Sequence, residues 1–271
     1  MRIIKKNKKR LNLRIGLDAS SIVDGGGLTH LKNFLLSYIE ENKKNELKIN
    51  IYASKNVLDQ LPNNQNLIKR NFKLLNKTKF HRIFFQIFLF DKFIKKECDI
   101  LFSLTGDYIG NYRPYISMSQ NMLLYEREFW KEINSIKEKI KIYFNFSRQQ
   151  KSFKNADGII FLSEYAKKYV TKALKLKNKN TVVIHHGISN QFISKNIQIN
   201  PIKHYSINFP FRFLYVSTVH VYKNQWNVVD AISKLRDKGY PVKLTLIGEI
   251  IYASSGDLLR EKIRSADPNK E

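Results

Sequence analysis

A single cysteine, Cys98, in 271 residues excludes an intramolecular disulfide framework and suits a reducing, cytoplasmic setting. No apolar run approaches the roughly 18 residues that a membrane-spanning helix needs. The basic start has Arg14 within the apolar part that follows it, so a secretory signal is not expected. The six histidines include one close pair, His185–His186, and no helical His/Glu spacing, so neither a metal nor another cofactor is expected. Internal repeats and low-complexity tracts are absent. Acidic residues are scarce: 23 stand against 48 lysines and arginines, for a formal charge of +25. Such a chain would attract nucleic acid, an anionic membrane surface or a phosphorylated substrate. Lysine outnumbers arginine 36 to 12, whereas nucleic-acid surfaces lean on arginine forks. That argues against nucleic acid and leaves two readings open, compositional drift and a membrane or polyanionic acceptor.

What is present is an α/β pattern. Apolar residues make up 43% of the chain, enough for a core, and the length fits one large or two modest domains. Strand-like and helix-like segments alternate, as in a doubly wound sheet. Strands are expected over residues 11–20, 48–54, 99–104 and 115–120, with a weaker one over Phe72–Leu75. A helix over about 28–41 turns Leu31, Phe34, Leu35 and Tyr38 inward, and a long basic helix spans about 133–154. Residues 156–170 read as a strand and then a helix capped by Ser163, and 181–189 as the last strand of a first domain. The segment Phe80–Phe93 is apolar nearly all round with basic neighbours. It fits a helix buried on a sheet, the reading favoured by the strand that follows it, or a helix lying on a membrane surface.

The domain boundaries expected are 1–189 for an amino-terminal domain, 190–210 for a polar linker with Pro201 and Pro210, and 211–271 for a second domain. In the second, Phe213–Gln225 reads as a strand ending in a polar loop with Lys223. A helix follows, with Val228, Val229, Ile232 and Leu235 on one face and Gly239-Tyr240-Pro241 as its stop. Residues 242–249 are a second strand with Gly248 at its carboxyl end, completing one parallel βαβ unit. Only one more helix-like segment precedes Glu271, so this domain is expected to be incomplete.

Gly25, Gly26 and Gly27 lie between a strand and a helix amino terminus, where backbone amides can approach a phosphate. Their spacing is not the dinucleotide fingerprint, and a plain flexible turn is the competing reading. Lys223 stands at a helix start, an electrostatically poor place for a lysine, which favours a ligand role over a solvated one. Two such half-sites in separate domains suit a ligand with a diphosphate in its middle, as in a nucleotide-sugar.

The segments GLDASSIVDGGGLTHLKNFL, DILFSL, SQNMLLYEREFW, ADGIIFLSEYAKKYV, VIHHGIS, FLYVSTVHVYKNQ and VKLTLIGE, in this order, resemble the retaining glycosyltransferases of family 4. The resemblance covers residues 14–248 and implies a GT-B fold of two Rossmann-like domains, acceptor-side and then donor-side. It implies donor-diphosphate binding by Gly25, Gly26, Gly27, Thr218, Lys223 and Gly248, with Lys223 neutralising the leaving group without a metal. Asn121 and Glu126 would face the acceptor or donor sugar; a loop cap and a surface ion pair are their plainer alternatives. His186 is expected to be a buried structural histidine rather than a catalytic one, which is the alternative. Ser217-Thr218 replaces a glycine-arginine pair, Gln120-Asn121 lacks a histidine, and the two-glutamate motif of the family is missing. The function implied is hexose transfer from a nucleotide-diphospho-sugar to a glycan or lipid-linked acceptor in cell-surface polysaccharide synthesis. It would occur in the cytoplasm or at the inner face of the membrane, with impaired activity in this chain. A non-catalytic remnant or a membrane-surface, acceptor-binding subunit is the alternative.

Overall fold

The computed structural model describes residues 13–42, 47–188, 192–193 and 200–267. The basic start, the end of the 181–189 segment and most of the linker's first half lie outside the described residues. The chain divides into two compact units, residues 1–126 with 137–187 and residues 127–136 with 188–271.

Seven strands of the first unit form one parallel sheet: β1 (Leu13–Asp18), β2 (Leu47–Tyr52), β3 (Leu67–Arg70), β4 (Ile100–Ser103), β5 (Tyr115–Ser119), β6 (Gly158–Phe161) and β7 (Asn180–Val183). Their order is β3-β2-β1-β4-β5-β6-β7. The helices that connect them are α1 (Gly25–Glu41), the single turn α2 (Lys55–Leu58), α3 (Lys79–Phe88) and α4 (Phe90–Glu97). Beyond β5 come α5 (Arg127–Glu132), which groups with the second unit, then α6 (Ile136–Asn155) and α7 (Glu164–Leu174). Leu17, Leu31, Leu35, Ile49 and Ile51 pack into one core cluster, and Phe85, Phe90, Leu101, Phe153 and Phe161 into another. A parallel sheet must be covered on both faces, which is why its strands read as continuous apolar runs. Ser163 caps α7 as expected, its Oγ accepting the Ala166 N–H at 3.1 Å.

Two expectations are corrected. The third strand is Leu67–Arg70, paired in parallel with Ile49–Tyr52, whereas Phe72–Leu75 leads into a 3-10 turn. Leu75 is fully buried there, so the apolar run serves the core as a turn, and pairing with β2 selects its more polar neighbour as the strand. The apolar segment 80–93 is two helices meeting at Leu89, and only one side of α3 is buried. Phe85 is 1% exposed, while Phe80, Phe84, Ile87 and Phe88 form an exposed stripe at i, i+4, i+7 and i+8. Among the described residues no helix is long and apolar enough to cross a membrane.

In the second unit, β8 (Phe211–Val216) and β9 (Val242–Ile247) form a parallel pair joined by α8 (Gln225–Asp237) and followed by α9 (Ala253–Ala266). Val219, Val229 and Leu259 make a small core with Leu244 and Leu246. Residues 214, 216 and 247 point to the other side of the sheet by strand alternation, and Leu214, Val216 and Ile247 are exposed.

Candidate functional site

Strand order reverses between β1 and β4, and ligands of open parallel sheets bind beyond the carboxyl ends of the strands at such a point. A cavity of about 350 Å³ lies there within the first unit. Ser21 and Val23 follow β1 into it, Thr105 and Asp107 follow β4, and Asn121 follows β5. Lys79, Arg82 and Ile83 of α3, Asn145, Arg148 and Gln149 of α6, and Leu124 complete its wall.

Behind this wall runs a buried polar chain. The Asp18 carboxylate, fully buried at the end of β1, accepts from Ser20 Oγ at 2.6 Å and from the Ser20 N–H at 3.1 Å. Gln86 Nε2 donates to Ser20 Oγ at 2.8 Å, and Gln86 Oε1 accepts from Arg148 at 3.1 Å. Arg148, itself buried, pairs with the Asp107 carboxylate at 3.0 Å and donates to the Asp107 carbonyl at 3.3 Å. Thr105 Oγ1 donates to the other Asp107 oxygen at 2.5 Å. Burial pushes the Asp18 carboxyl up to about 7; Asp107 adds to the rise, and the Ser20 bonds and Arg148 oppose it. Burial also lowers Lys79, helped by the nearby charges of Arg148 and Lys141. The cations of this wall crowd one another, an arrangement that an anion relieves.

Of the sequence-selected residues of the first unit, the cavity lining includes Asn121 and not Gly25, Gly26, Gly27, Glu126 or His186. Gly25 opens α1 with φ +63°, a left-handed value that favours glycine. Side chains at Gly25 and Gly26 would meet nothing within 4 Å, so packing does not explain the triplet and its backbone stays open to a ligand. Asn121 lines the cavity and also caps its own loop, its Oδ1 accepting the Leu123 N–H at 3.0 Å. Glu126 ends the following 3-10 turn, half-buried. His186 is exposed rather than buried, because β7 is the edge strand of the sheet. Its ring meets His30 of α1 edge-on at 4.5 Å, and burial first, then His186, lowers the His30 pKa.

In the second unit, Thr218, Lys223 and Gly248 gather beyond the carboxyl ends of β8 and β9. A side chain at Gly248 would lie 2.0 Å from the Ser217 carbonyl oxygen, so close strand packing alone requires this glycine. The Thr218 carbonyl accepts from Gln225 Nε2 at 2.9 Å, holding the loop to the start of α8. Lys223 is half-buried, has no carboxylate partner among the described residues, and rests its ammonium 5.1 Å from the Tyr222 ring centre. His220 stacks on Tyr252 at 5.4 Å, with Phe129 of α5 and Tyr222 beside it. The larger hollow of this unit, about 840 Å³, lies at the opposite, amino-terminal ends of the strands around Pro241 and Arg236. The strand-end rule favours the loop side over this larger hollow.

Sequence reading misses Asp18, Gln86, Asp107 and Arg148. Two signals are available: a carboxylate straight after an apolar strand, and a lone glutamine on the inward side of a phenylalanine-rich helix. Arg148 gives none among so many cations.

No protein-family profile matches this sequence, and no curated protein is similar to it. Its fold is nevertheless shared with solved structures. Anabaena HepE, solved with UDP and glucose, matches 94% of this chain and 67% of its own at 16% identity, TM-score 0.55. Sucrose-phosphate synthase from Thermosynechococcus elongatus matches over 95% and 69% at 13% identity, TM-score 0.57. The trehalose-6-phosphate synthase OtsA matches over 94% and 70% at 11% identity, TM-score 0.56. At these identities the likeness is one of fold: the chain has the α/β, Rossmann-like architecture of GT-B glycosyltransferases.

Proposed function

We propose that this protein takes part in glycosyl transfer from a nucleotide-diphospho-sugar. The observation that carries the reading is Lys223, a cation without a carboxylate partner among the described residues, beyond the carboxyl ends of two parallel strands. There it neutralises the charge that develops on a departing diphosphate, the term that such chemistry most needs. Thr218 and the open Gly25–Gly27 backbone supply further donors, each in its own unit. HepE, of the same fold, was solved with UDP and glucose, which supports a uridine nucleotide as the first ligand to test. Hexose transfer with retention to a glycan or lipid-linked acceptor, with Asn121 and Glu126 at the sugar, is the finer form of this proposal. Cell-surface polysaccharide synthesis is the setting that this form implies.

Titration calorimetry with UDP tests it. Binding that weakens about tenfold or more in Lys223→Ala is expected, since a charged hydrogen bond is worth roughly 1.5–3 kcal/mol. No UDP binding, or equal affinity in the variant, would sink the donor-site assignment and favour a non-catalytic subunit.

A membrane surface as second partner is favoured by one observation, the exposed Phe80, Phe84, Ile87 and Phe88 stripe. Tyr143 and Phe144 of α6 are also exposed, among Lys137, Lys139 and Lys141. Apolar residues flanked by lysines suit the boundary of an anionic bilayer.

A further inference from the structure

The cavity at the strand reversal has the chemistry of a binding site. Arg148 and Gln149 are 6% and 3% exposed, yet Arg148 Nε and Gln149 Oε1 have no hydrogen-bond partner. Arg82 Nε is buried and unpartnered as well. Unmade bonds of this kind are costly, more so for charged groups, and native proteins keep few of them without a reason. All three residues line the same cavity, and Lys79 lies on its wall with a pKa lowered by burial and neighbouring cations.

The unpartnered atoms define what would satisfy them. Two unpartnered guanidinium N–H groups call for an anion with several acceptor oxygens, and the arginine fork matches phosphate geometry; Lys79, whose Nζ donates to Asn145 Oδ1 at 2.7 Å, adds positive charge beside them. The one carboxylate on the wall, Asp107, is already held by Arg148 and Thr105, so the cations are not fully neutralised. The unpartnered amide oxygen of Gln149 calls instead for a donor, such as a hydroxyl. Asn121 adds a polar side chain and Val23 and Ile83 apolar walls, in a space of about 350 Å³, the lower range of small-molecule sites.

We infer that this cavity binds a phosphate monoester carried on a hydroxylated ligand, a sugar or polyol phosphate, with Arg82, Arg148 and Lys79 on the phosphate and Gln149 on a hydroxyl. The inference deepens the glycosyl-transfer reading, on which the ligand is the acceptor. The site itself rests on the first unit alone. Asp18, Ser20 and Gln86 do not line the cavity; they act through Arg148 as positioning residues.

Calorimetry on the whole chain with glucose 6-phosphate, glucose and inorganic phosphate is the test. Glucose 6-phosphate should bind, inorganic phosphate should compete more weakly, and glucose should bind at least tenfold less tightly than its phosphate. Arg82→Gln should weaken glucose 6-phosphate about tenfold or more without changing the melting temperature, because Arg82 has no ion pair among the described residues to lose. Gln149→Leu should weaken glucose 6-phosphate but leave inorganic phosphate unchanged, a split that a merely structural role would not produce. Equal binding of glucose and its phosphate, no binding of either, or an unaffected Arg82→Gln protein would overturn the inference. Displacement by vesicles containing phosphatidic acid would assign the phosphate to a lipid headgroup, and its absence to a soluble ligand; either result keeps the site. UDP titrated in parallel separates the two readings. UDP binding without glucose 6-phosphate binding refutes this inference alone, and the converse refutes the transferase reading alone.

Discussion

Replacing Asp18 by asparagine should invert the usual effect of removing a buried polar group, and the inversion should depend on pH. In the folded protein the Asp18 carboxyl titrates near 7, against 3.8 for an ordinary aspartate, chiefly because it is fully buried. A carboxyl whose folded pKa is raised keeps its proton in the native state after the unfolded state has lost it. Its contribution is therefore fully present below pH ~4 and is lost as pH rises through 7. The span from 3.8 to about 7 corresponds to at most about 4 kcal/mol of stability lost between about pH 4 and pH 8. The carboxamide of Asp18→Asn would still accept from Ser20, but its NH2 group would face Gln86 Nε2, donor against donor, costing about 1 kcal/mol. The variant should thus be slightly less stable than the parent at about pH 4 and about 1–3 kcal/mol more stable at about pH 8. Urea unfolding followed by far-UV circular dichroism at both pH values measures this. Both tryptophans, Trp130 and Trp226, belong to the second unit, so their fluorescence transition serves as an internal control and should not move. Parallel stability–pH curves for parent and Asp18→Asn would refute the reasoning and place Asp18 as an ionised partner of Arg148 throughout.

Gly248→Ala should destabilise the second unit by about 1–3 kcal/mol, because the new methyl meets the Ser217 carbonyl at 2.0 Å; an unchanged tryptophan transition would contradict that. Limited proteolysis should cut first beyond residue 187 and leave the sheet of the first unit intact, since the second unit rests on the small Val219–Val229–Leu259 core. Survival of Val242–Ile247 ahead of β1–β7 would reverse this order of stability. Phe84→Ser with Phe88→Ser should leave the melting temperature within about 2 °C, as both rings are exposed, and should reduce sedimentation with vesicles of anionic lipid in a salt-dependent way. Equal sedimentation of parent and variant would remove the membrane surface as a partner.

Much of the fold is legible because parallel sheets are buried on both faces, so β1, β2, β4, β5 and β6 carry apolar runs that no loop would tolerate. Ser163 is legible too, since a hydroxyl before an apolar-periodic segment has one local use. Phe72–Leu75 fails for the converse reason: a short apolar run has no decisive period, and only pairing with β2 selects Leu67–Arg70 instead. The all-round apolar reading of residues 80–93 fails because periodicity shows that a face is apolar and not whether anything covers it; α3 buries Phe85 and leaves Phe84 and Phe88 outside. The glycine triplet, Asn121 and Lys223 follow from local rules of strand ends and helix starts. Asp18, Gln86, Asp107 and Arg148 come from separate stretches of the chain, up to 130 positions apart, and each alone is an ordinary polar residue. Sequence determined which segments form the layers. The tertiary structure alone decided which polar groups lost their water together, and burial is what joins those four residues into one network behind the cavity.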